Sequence, residues 1–272
     1  MRCAVLGDPV SHSLSPALHR AGYVAAGLDW SYDAQRVPAG GLEAFLGTLG
    51  ADWRGLSLTM PLKREAMPLA SAVTDRARLV GAANTLVRVD DGWHADNTDL
   101  PGAVAAVRER YDGPVASATL LGAGATAAST GLALCELGAT RLRLLARDPL
   151  RAAETVAAIE RHGAVDVEVL PLDGGAVSGE VVVSTIPAAA QVPPLTEAVA
   201  DAAVLFEVVY DPWPTPLAAA AAARGQVVVS GLDLLVHQAA LQFVAFTGVP
   251  APLAEMRAAG EAALAARGGV AG

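Results

Sequence analysis

The rarest side chains of this 272-residue chain are the ones best suited to chemistry. Of its 19 basic residues only Lys63 is a lysine; the rest are arginines. A guanidinium holds its proton at any ordinary pH, whereas an ammonium can give one up, so a solitary lysine points to proton transfer. Asparagine is almost as scarce. Its only occurrences, Asn84 and Asn97, both stand in Asn-Thr dipeptides. Turn formation is the ordinary use of asparagine, but two matching dipeptides close to Lys63 suggest a shared polar site. Polar residues also recur two apart in Ser13 with Ser15, Ser57 with Thr59, and Asn97 with Asp99. In extended backbone such residues point the same way, so Ser13 and Ser15 can jointly hold one small acceptor group. A helix opening at Pro16, with Ser15 as its N-cap, adds backbone N–H donors and a field that favours an anion. The ligand this suits is a carboxylate, and the three pairs together suit a polyhydroxylated acid. If Pro61 opens a helix, Lys63 lies in its first turn, where the macrodipole lowers its proton affinity and a neighbouring carboxylate raises it. With Asp99 as that carboxylate, Lys63 and Asp99 form a proton donor and its orienting base, fit to protonate the alkoxide left when hydride adds to a ketone.

A second constellation suits the source of that hydride. Gly122-Ala123-Gly124-Ala125-Thr126-Ala127 lies where an expected strand meets an expected helix, giving Gly-x-Gly-x-x-Ala. The first glycine makes the tight turn, the second admits a pyrophosphate to the backbone, and the small Ala127 lets helix pack on strand. The end of the next strand selects the dinucleotide, since an acid there holds a ribose hydroxyl and an arginine accommodates a 2′-phosphate. Arg147 and Arg151 favour NADP. Asp148 complicates that reading unless it caps the helix before Pro149, which is the role expected of it.

These groups need elements to carry them. Arg2 to Leu6 reads as a buried strand, followed by a helix from Pro16, a helix from Gly41 to Leu49, a strand from Gly55 to Leu58 and the helix at Pro61. Thr85 to Val89 and Trp93 to Ala95 flank Asp90-Asp91-Gly92 as a hairpin. From Leu100 the pattern becomes that of a parallel α/β sheet: a helix to Tyr111, a strand over Ala116 to Leu121, a helix over Ala125 to Leu137, a strand over Arg141 to Ala146 and a helix over Pro149 to His162. Strands at Val165 to Leu170, Val181 to Ser184, Val204 to Val209 and Val227 to Ser230 follow, with Pro216 to Arg224 as a crossover helix. Helices from Asp233 to Phe246 and Pro252 to Ala266 close the chain, and Gly268, Gly269 and Gly272 mark a frayed end.

Composition excludes several classes. A net charge of −9 argues against nucleic acid and acidic membrane surfaces as partners. The uncharged stretch from Gly113 to Cys135 is built largely of alanine, glycine, serine and threonine rather than the large aliphatic residues of a membrane span. No apolar run of signal-peptide length precedes Pro9, so the cytoplasm is the expected location. Cys3 and Cys135 are too few for a disulfide framework, and the histidines lack metal-ligand spacing, so no metal is expected. A monomer or a homodimer is expected.

Taken in order, several short motifs resemble those of the shikimate dehydrogenase family. They are Gly7-Asp8-Pro9 leading to Ser13-Leu14-Ser15-Pro16-Ala17-Leu18-His19, then Leu58-Thr59-Met60-Pro61-Leu62-Lys63, Gly81-Ala82-Ala83-Asn84-Thr85 and Asp96-Asn97-Thr98-Asp99. Val209-Tyr210-Asp211-Pro212 with Thr215-Pro216-Leu217, and Gly231-Leu232 with Gln238-Ala239-Ala240, complete the set. The resemblance implies an α/β protein with an N-terminal substrate domain (1–100), a Rossmann-type doubly wound NADP-binding domain (101–232) and C-terminal helices (233–272) that pack back on the substrate domain. It implies that Ser13 and Ser15 take the carboxylate of shikimate, that Thr59, Asn84, Asp99 and Gln238 hold its ring hydroxyls, and that Tyr210 lies beside substrate and nicotinamide. Lys63 and Asp99 become the catalytic pair, while Thr185 and Gly231 join the phosphate loop and the two arginines in holding NADP. The implied reaction is the reversible reduction of 3-dehydroshikimate to shikimate in aromatic amino acid (chorismate) biosynthesis. A quinate/shikimate dehydrogenase and a catalytically silent ligand sensor on the same scaffold are the alternatives. The chain departs from the family pattern at Ser57, where asparagine is usual, at Arg20, Ala125, Ala146 and Asp148, and at Asp233, whose carboxylate is expected near the nicotinamide.

Overall fold

The computed structural model describes residues 1–90, 92–173 and 176–268; Asp91 of the expected hairpin turn, and Gly269 and Gly272 of the expected frayed end, lie outside the described residues. The chain forms two compact units, one of Met1–Thr98 with the chain from Leu235 onward, the other of Asp99–Leu234.

The first unit carries β1 (Arg2–Gly7), α1 (Ser15–Ala25), β2 (Ser31–Arg36), α2 (Leu42–Gly47), β3 (Trp53–Leu58), β4 (Ala72–Val73), α3 (Asp75–Val80), β5 (Thr85–Val89) and β6 (Gly92–Asp96). Its six strands run in the order β2-β1-β3-β5-β6-β4. β1 lies parallel to both β2 and β3, while β3, β5 and β6 pair antiparallel. The hairpin is therefore present, with Thr85 opposite Asp96. Strand β2 escapes a reading of the sequence because only Tyr32 of its six residues is buried; an edge strand pairs on one side and needs no apolar run. Leu6, Leu56, Leu58, Leu62, Ala83, Leu86 and Ala95 meet in one core beneath the sheet.

The expected helix at Pro61 is absent. Residues 60–66 form successive turns ending in a short 3-10 segment, Met67–Leu69. Ala66 N–H reaches the Leu62 carbonyl in the α pattern, but Leu62, Met67 and Leu69 bond three residues back, to Thr59, Arg64 and Ala66. Pro61 and Pro68 bracket the segment and lack the N–H groups that would extend it. Without a run of aligned peptides there is no macrodipole at Lys63, and that part of the expectation fails.

The second unit opens with α4 (Asp99–Arg110) and continues through β7 (Ser117–Leu121), α5 (Ala125–Glu136), β8 (Arg141–Ala146), α6 (Ala153–Glu160), β9 (Asp166–Pro171), β10 (Val181–Ser184), α7 (Pro193–Ala198), β11 (Val204–Glu207), α8 (Pro216–Ala223) and β12 (Val227–Ser230). Its described strand pairs are all parallel, in the order β12-β11-β10-β7-β8-β9. Counted from β7, that is the doubly wound order in which the first and fourth strands lie side by side, and it is the Rossmann-type arrangement expected. Both faces of such a sheet are covered, so Val181 and Val183 enter one core while Val182 enters another. The helix expected from Pro149 begins instead as a 3-10 turn, Pro149–Ala152, before α6. Two last helices, α9 (Gly231–Thr247) and α10 (Leu253–Gly268), follow; α9 begins in the second unit and continues into the first. Among the described residues no helix is long and apolar enough to cross a membrane.

Candidate active site

The serine segment is built differently from the expected extended pair. Leu14 has helical backbone angles and is the N-cap of α1, so Ser15 is the first helical residue and Pro16 the second. Ser13 does the capping work instead: its Oγ accepts the Ser15 N–H at 3.3 Å. Ser13 and Ser15 thus stand at the start of α1, joined through the Ser15 N–H by a turn rather than by strand alternation. Ser15 is buried and its hydroxyl faces that of Tyr32.

From Tyr32 a buried chain of hydrogen bonds runs through the first unit. Tyr32 O–H donates to Ser57 Oγ at 2.5 Å, and Ser57 donates to Gln242 Oε1 at 2.6 Å. Gln242 Nε2 donates to the Asn84 carbonyl and to Thr85 Oγ1, each at 3.0 Å. Asn84 then joins Thr98 and Gln238: its Nδ2 lies 2.9 Å from Thr98 Oγ1 and 3.2 Å from Gln238 Oε1, and its Oδ1 accepts the Thr98 N–H at 2.8 Å. The sequence brings Asn84 and Gln238 into the candidate site; the structure adds Thr98, Gln242 and Tyr32. The signal that could have found Gln242 is its spacing of four from Gln238, which puts both amides on one face of α9. Ser57, where the resemblance leads to asparagine, is a link in this chain. Arg20, another departure, ties α1 to β2 by donating to the Tyr32 carbonyl at 2.7 Å and to Asp33 at 2.8 Å.

Lys63 and Thr59 sit on the turn that follows β3. The Ala83 N–H donates to the Lys63 carbonyl at 2.7 Å, and Leu62 and Ala66 on either side are fully buried. Glu65 accepts the Gly40 and Leu42 N–H groups at 2.9 and 2.8 Å, fastening the same turn to the start of α2. The Asp96-Asn97-Thr98-Asp99 segment is held by Asp96, which accepts from Thr74 Oγ1, from the Asn97 N–H and from two nitrogens of Arg76. Burial opposes ionisation of Asp96, but the Arg76 guanidinium and the Thr74 hydroxyl outweigh it and hold the carboxyl below its ordinary range. Asp99 is buried at the first position of α4.

In the second unit the candidate phosphate loop is a tight turn between β7 and α5. Gly122 has φ +109°, and a Cβ there would stand 2.3 Å from Thr185 Oγ1, so only glycine fits. Gly124 is the N-cap of α5, no side chain among the described residues caps that helix, and Ala127 is fully buried against the sheet. The first N–H groups of α5 are thus left for a ligand, at the crevice between β7 and β10 where the strand order reverses. Thr185 closes that crevice, its hydroxyl bonded to the Leu121 carbonyl at 3.0 Å. These residues fit a dinucleotide pyrophosphate. Arg147 is exposed just beyond β8, and Asp148 caps the following turn through the Leu150 N–H at 3.0 Å. Arg151 belongs to that turn, but its side chain lies outside the described residues.

Tyr210 lies on the segment after β11, which Glu207 anchors at both ends. Glu207 is fully buried and accepts from Val209 N–H at 3.0 Å, Thr215 Oγ1 at 2.8 Å and Gln191 Nε2 at 2.7 Å. Burial pushes its pKa up, against the pull of those donors. Gly231 is a packing glycine, since a Cβ would come within 2.0 Å of the Val208 carbonyl oxygen. The Asp233 carboxylate is engaged at the start of α9. One of its oxygens accepts from Arg110 at 2.8 Å and the other from the Ser230 N–H and hydroxyl, while its own N–H donates to Ser230 Oγ, a capping box at the start of α9.

Comparison with known proteins agrees with this arrangement. The model of the shikimate dehydrogenase substrate binding domain matches residues 5–86, and that of the shikimate 5'-dehydrogenase C-terminal domain matches residues 231–259. A shikimate dehydrogenase (NADP(+)) of Anaeromyxobacter dehalogenans is 38% identical over 273 residues, spanning 97% of this chain and 96% of its own. The crystal structure of the Mycobacterium tuberculosis shikimate dehydrogenase is 42% identical with a TM-score of 0.87, covering 97% of this chain and 99% of that one. The Thermus thermophilus enzyme, solved in complex with NADP(H) and shikimate, is 30% identical with a TM-score of 0.81, covering 97% of this chain and 99% of that one. On the strength of near-full-length relatives, a doubly wound sheet with its phosphate turn, and a polar core built from the shared motifs, this chain belongs to the shikimate dehydrogenase family.

Proposed function

We propose that the protein catalyses the reversible NADPH-dependent reduction of 3-dehydroshikimate to shikimate, a step of aromatic amino acid biosynthesis, as a cytoplasmic enzyme acting on small molecules alone. The observation that carries this reading is the pairing, in one chain, of an uncapped Gly-x-Gly turn in a doubly wound sheet with a buried Asn84–Thr98–Gln238 cluster near a lone lysine in sequence. The first unit serves as the substrate domain and the second as the cofactor domain.

Each residue then has a task. Ser13 and Ser15, with the start of α1, take the carboxylate. Thr59, Asn84, Asp99 and Gln238 receive the ring hydroxyls, and the hydrogen-bonded chain behind Asn84 keeps its amide from rotating. Gly122 to Ala127 hold the pyrophosphate, Arg147 and Arg151 the 2′-phosphate, Thr185 and Gly231 line the cofactor crevice, and Tyr210 flanks the nicotinamide. When bound, the reduced cofactor supplies the hydride that converts the ring ketone to an alcohol. Lys63 donates a proton to the oxygen as its negative charge develops, and Asp99 orients the ammonium. In the reverse direction the amine of Lys63 accepts that proton. The protein's main contribution is positioning.

The deciding experiment follows nicotinamide absorbance with shikimate or quinate, each with NADP or NAD. The reading expects shikimate with NADP to be turned over best by a wide margin. Preferred oxidation of quinate with NAD would replace it by the quinate alternative, and binding without turnover by the sensor.

A further inference from the structure

We infer that Thr155 is a positioning residue for the cofactor: from α6, its hydroxyl sets the direction in which the phosphate loop presents its N–H groups. This rests on the assignment of Gly122 to Ala127 as the dinucleotide loop. Thr155 is fully buried, and its Oγ1 lies 3.0 Å from the Ala123 carbonyl oxygen and 3.4 Å from that of Gly124. A threonine inside a helix ordinarily returns its hydroxyl to its own helix. Ser129 and Thr130 in α5 do so, bonding the Ala125 and Thr126 carbonyls at 3.1 and 2.9 Å. Thr155 instead reaches across to a loop that belongs to a different βα unit.

The consequence follows from the planarity of the peptide. In a trans peptide the C=O and N–H point in opposite directions. Drawing the Ala123 carbonyl toward α6 turns the Gly124 N–H away from α6. The Gly124 carbonyl, shared between Thr155 and the Ala128 N–H at 3.0 Å, fixes the Ala125 N–H in the same sense. Two carbonyl oxygens, which would repel a pyrophosphate, are thereby held on the inner side, and two donors are left for the anion. The loop needs such a hold, because glycine at 122 and 124 otherwise leaves the backbone free to rotate. Valine at 155 fills the same space but leaves the Ala123 carbonyl without its donor, so this peptide can turn.

The test compares Thr155→Val, Thr155→Ser and Thr155→Ala with the parent, reading the Kd for NADP by fluorescence titration and the KM values for NADP and shikimate. Valine and alanine at this position should each weaken NADP binding about tenfold, and serine should hold it within about twofold of the parent. The KM for shikimate should stay at the parent value. Serine and alanine both lack the methyl group, so their difference isolates the hydroxyl even if the valine variant does not fold. Equal NADP affinity in serine and alanine variants, or a parallel rise in both KM values, overturns the role of Thr155. A parent that binds no NADP overturns the loop assignment itself, a separate result.

Discussion

At the residue scale, the proposed chemistry reduces to one amine and the charges around one phosphate. Lys63→Arg keeps the positive charge but not a proton that can be released, so the variant should fold with the parent's thermal midpoint and lose nearly all turnover. Steady-state assays with shikimate and NADP check this; activity near the parent's would remove Lys63 from the proton-donor role. Asp148 presents the reverse case. Its Oδ1 caps a turn, and asparagine caps equally well. Its charge, beside Arg147, opposes a 2′-phosphate while contributing nothing the cap requires. Asp148→Asn should therefore lower the KM for NADP by about twofold to fivefold, the scale of one exposed charge interaction. A rise in that KM would show that the carboxylate contributes to cofactor binding.

At the element scale, what matters is how segments that carry few contacts of their own are held. The turn bearing Lys63 has no helix to stiffen it, and is fixed by Ala83, by Glu65 and by buried Leu62 and Ala66. The segment bearing Tyr210 depends on Glu207, whose buried carboxylate gathers donors from β11's own end, from the start of α8 and from Gln191. Glu207→Ala leaves those donors buried without an acceptor and should cost about 3 kcal/mol or more in urea denaturation. Glu207→Gln retains one acceptor oxygen and should cost less. If the alanine variant matches the parent's stability, the segment is held by other means. Asp233 belongs at this scale too: its capping box and its bond to Arg110 make it a device for starting α9.

For the whole molecule, each buried titratable group gives the response to acid a contribution of definite sign. His19 is fully buried, stacked on Tyr32 at 4.2 Å between nearly parallel rings, and neither ring nitrogen has a hydrogen-bond partner of good geometry among the described residues. Burial drives its pKa down from 6.5 to about 3, opposed only in part by the nearby Gln242 amide. Between those values the unfolded chain binds a proton that the native state refuses, so stability falls as pH drops through that window, by about 1.4 kcal/mol per pH unit for one full proton. Asp96 adds a loss of the same sign below its ordinary pKa of 3.8, because its folded value is depressed. Glu207 acts the other way: its folded pKa is raised, so its contribution is present at low pH and lost as pH rises above 4.5. His19→Phe preserves the ring stack and removes the titration. Urea unfolding at pH 6, 5 and 4 should show a shallower acid decline in this variant by about one proton's slope; an unchanged slope would place the acid sensitivity elsewhere.

The amino-acid sequence alone determined the strands of the second unit, the Gly122 turn, the cap at Asp148 and the residue types able to move a proton or hold a phosphate. These are local matters: an apolar run, a glycine at positive φ or a serine before a helix constrains its neighbours within a few residues, and periodicity reports it. Only the tertiary structure decided that Asn84 meets Gln238, that Ser57 links Tyr32 to Gln242, that Thr155 reaches the phosphate loop and that Lys63 rides on turns rather than a helix. Hydrogen bonds between residues so far apart in the chain leave no periodic trace, because they arise only when packing removes water and each buried donor must find an acceptor.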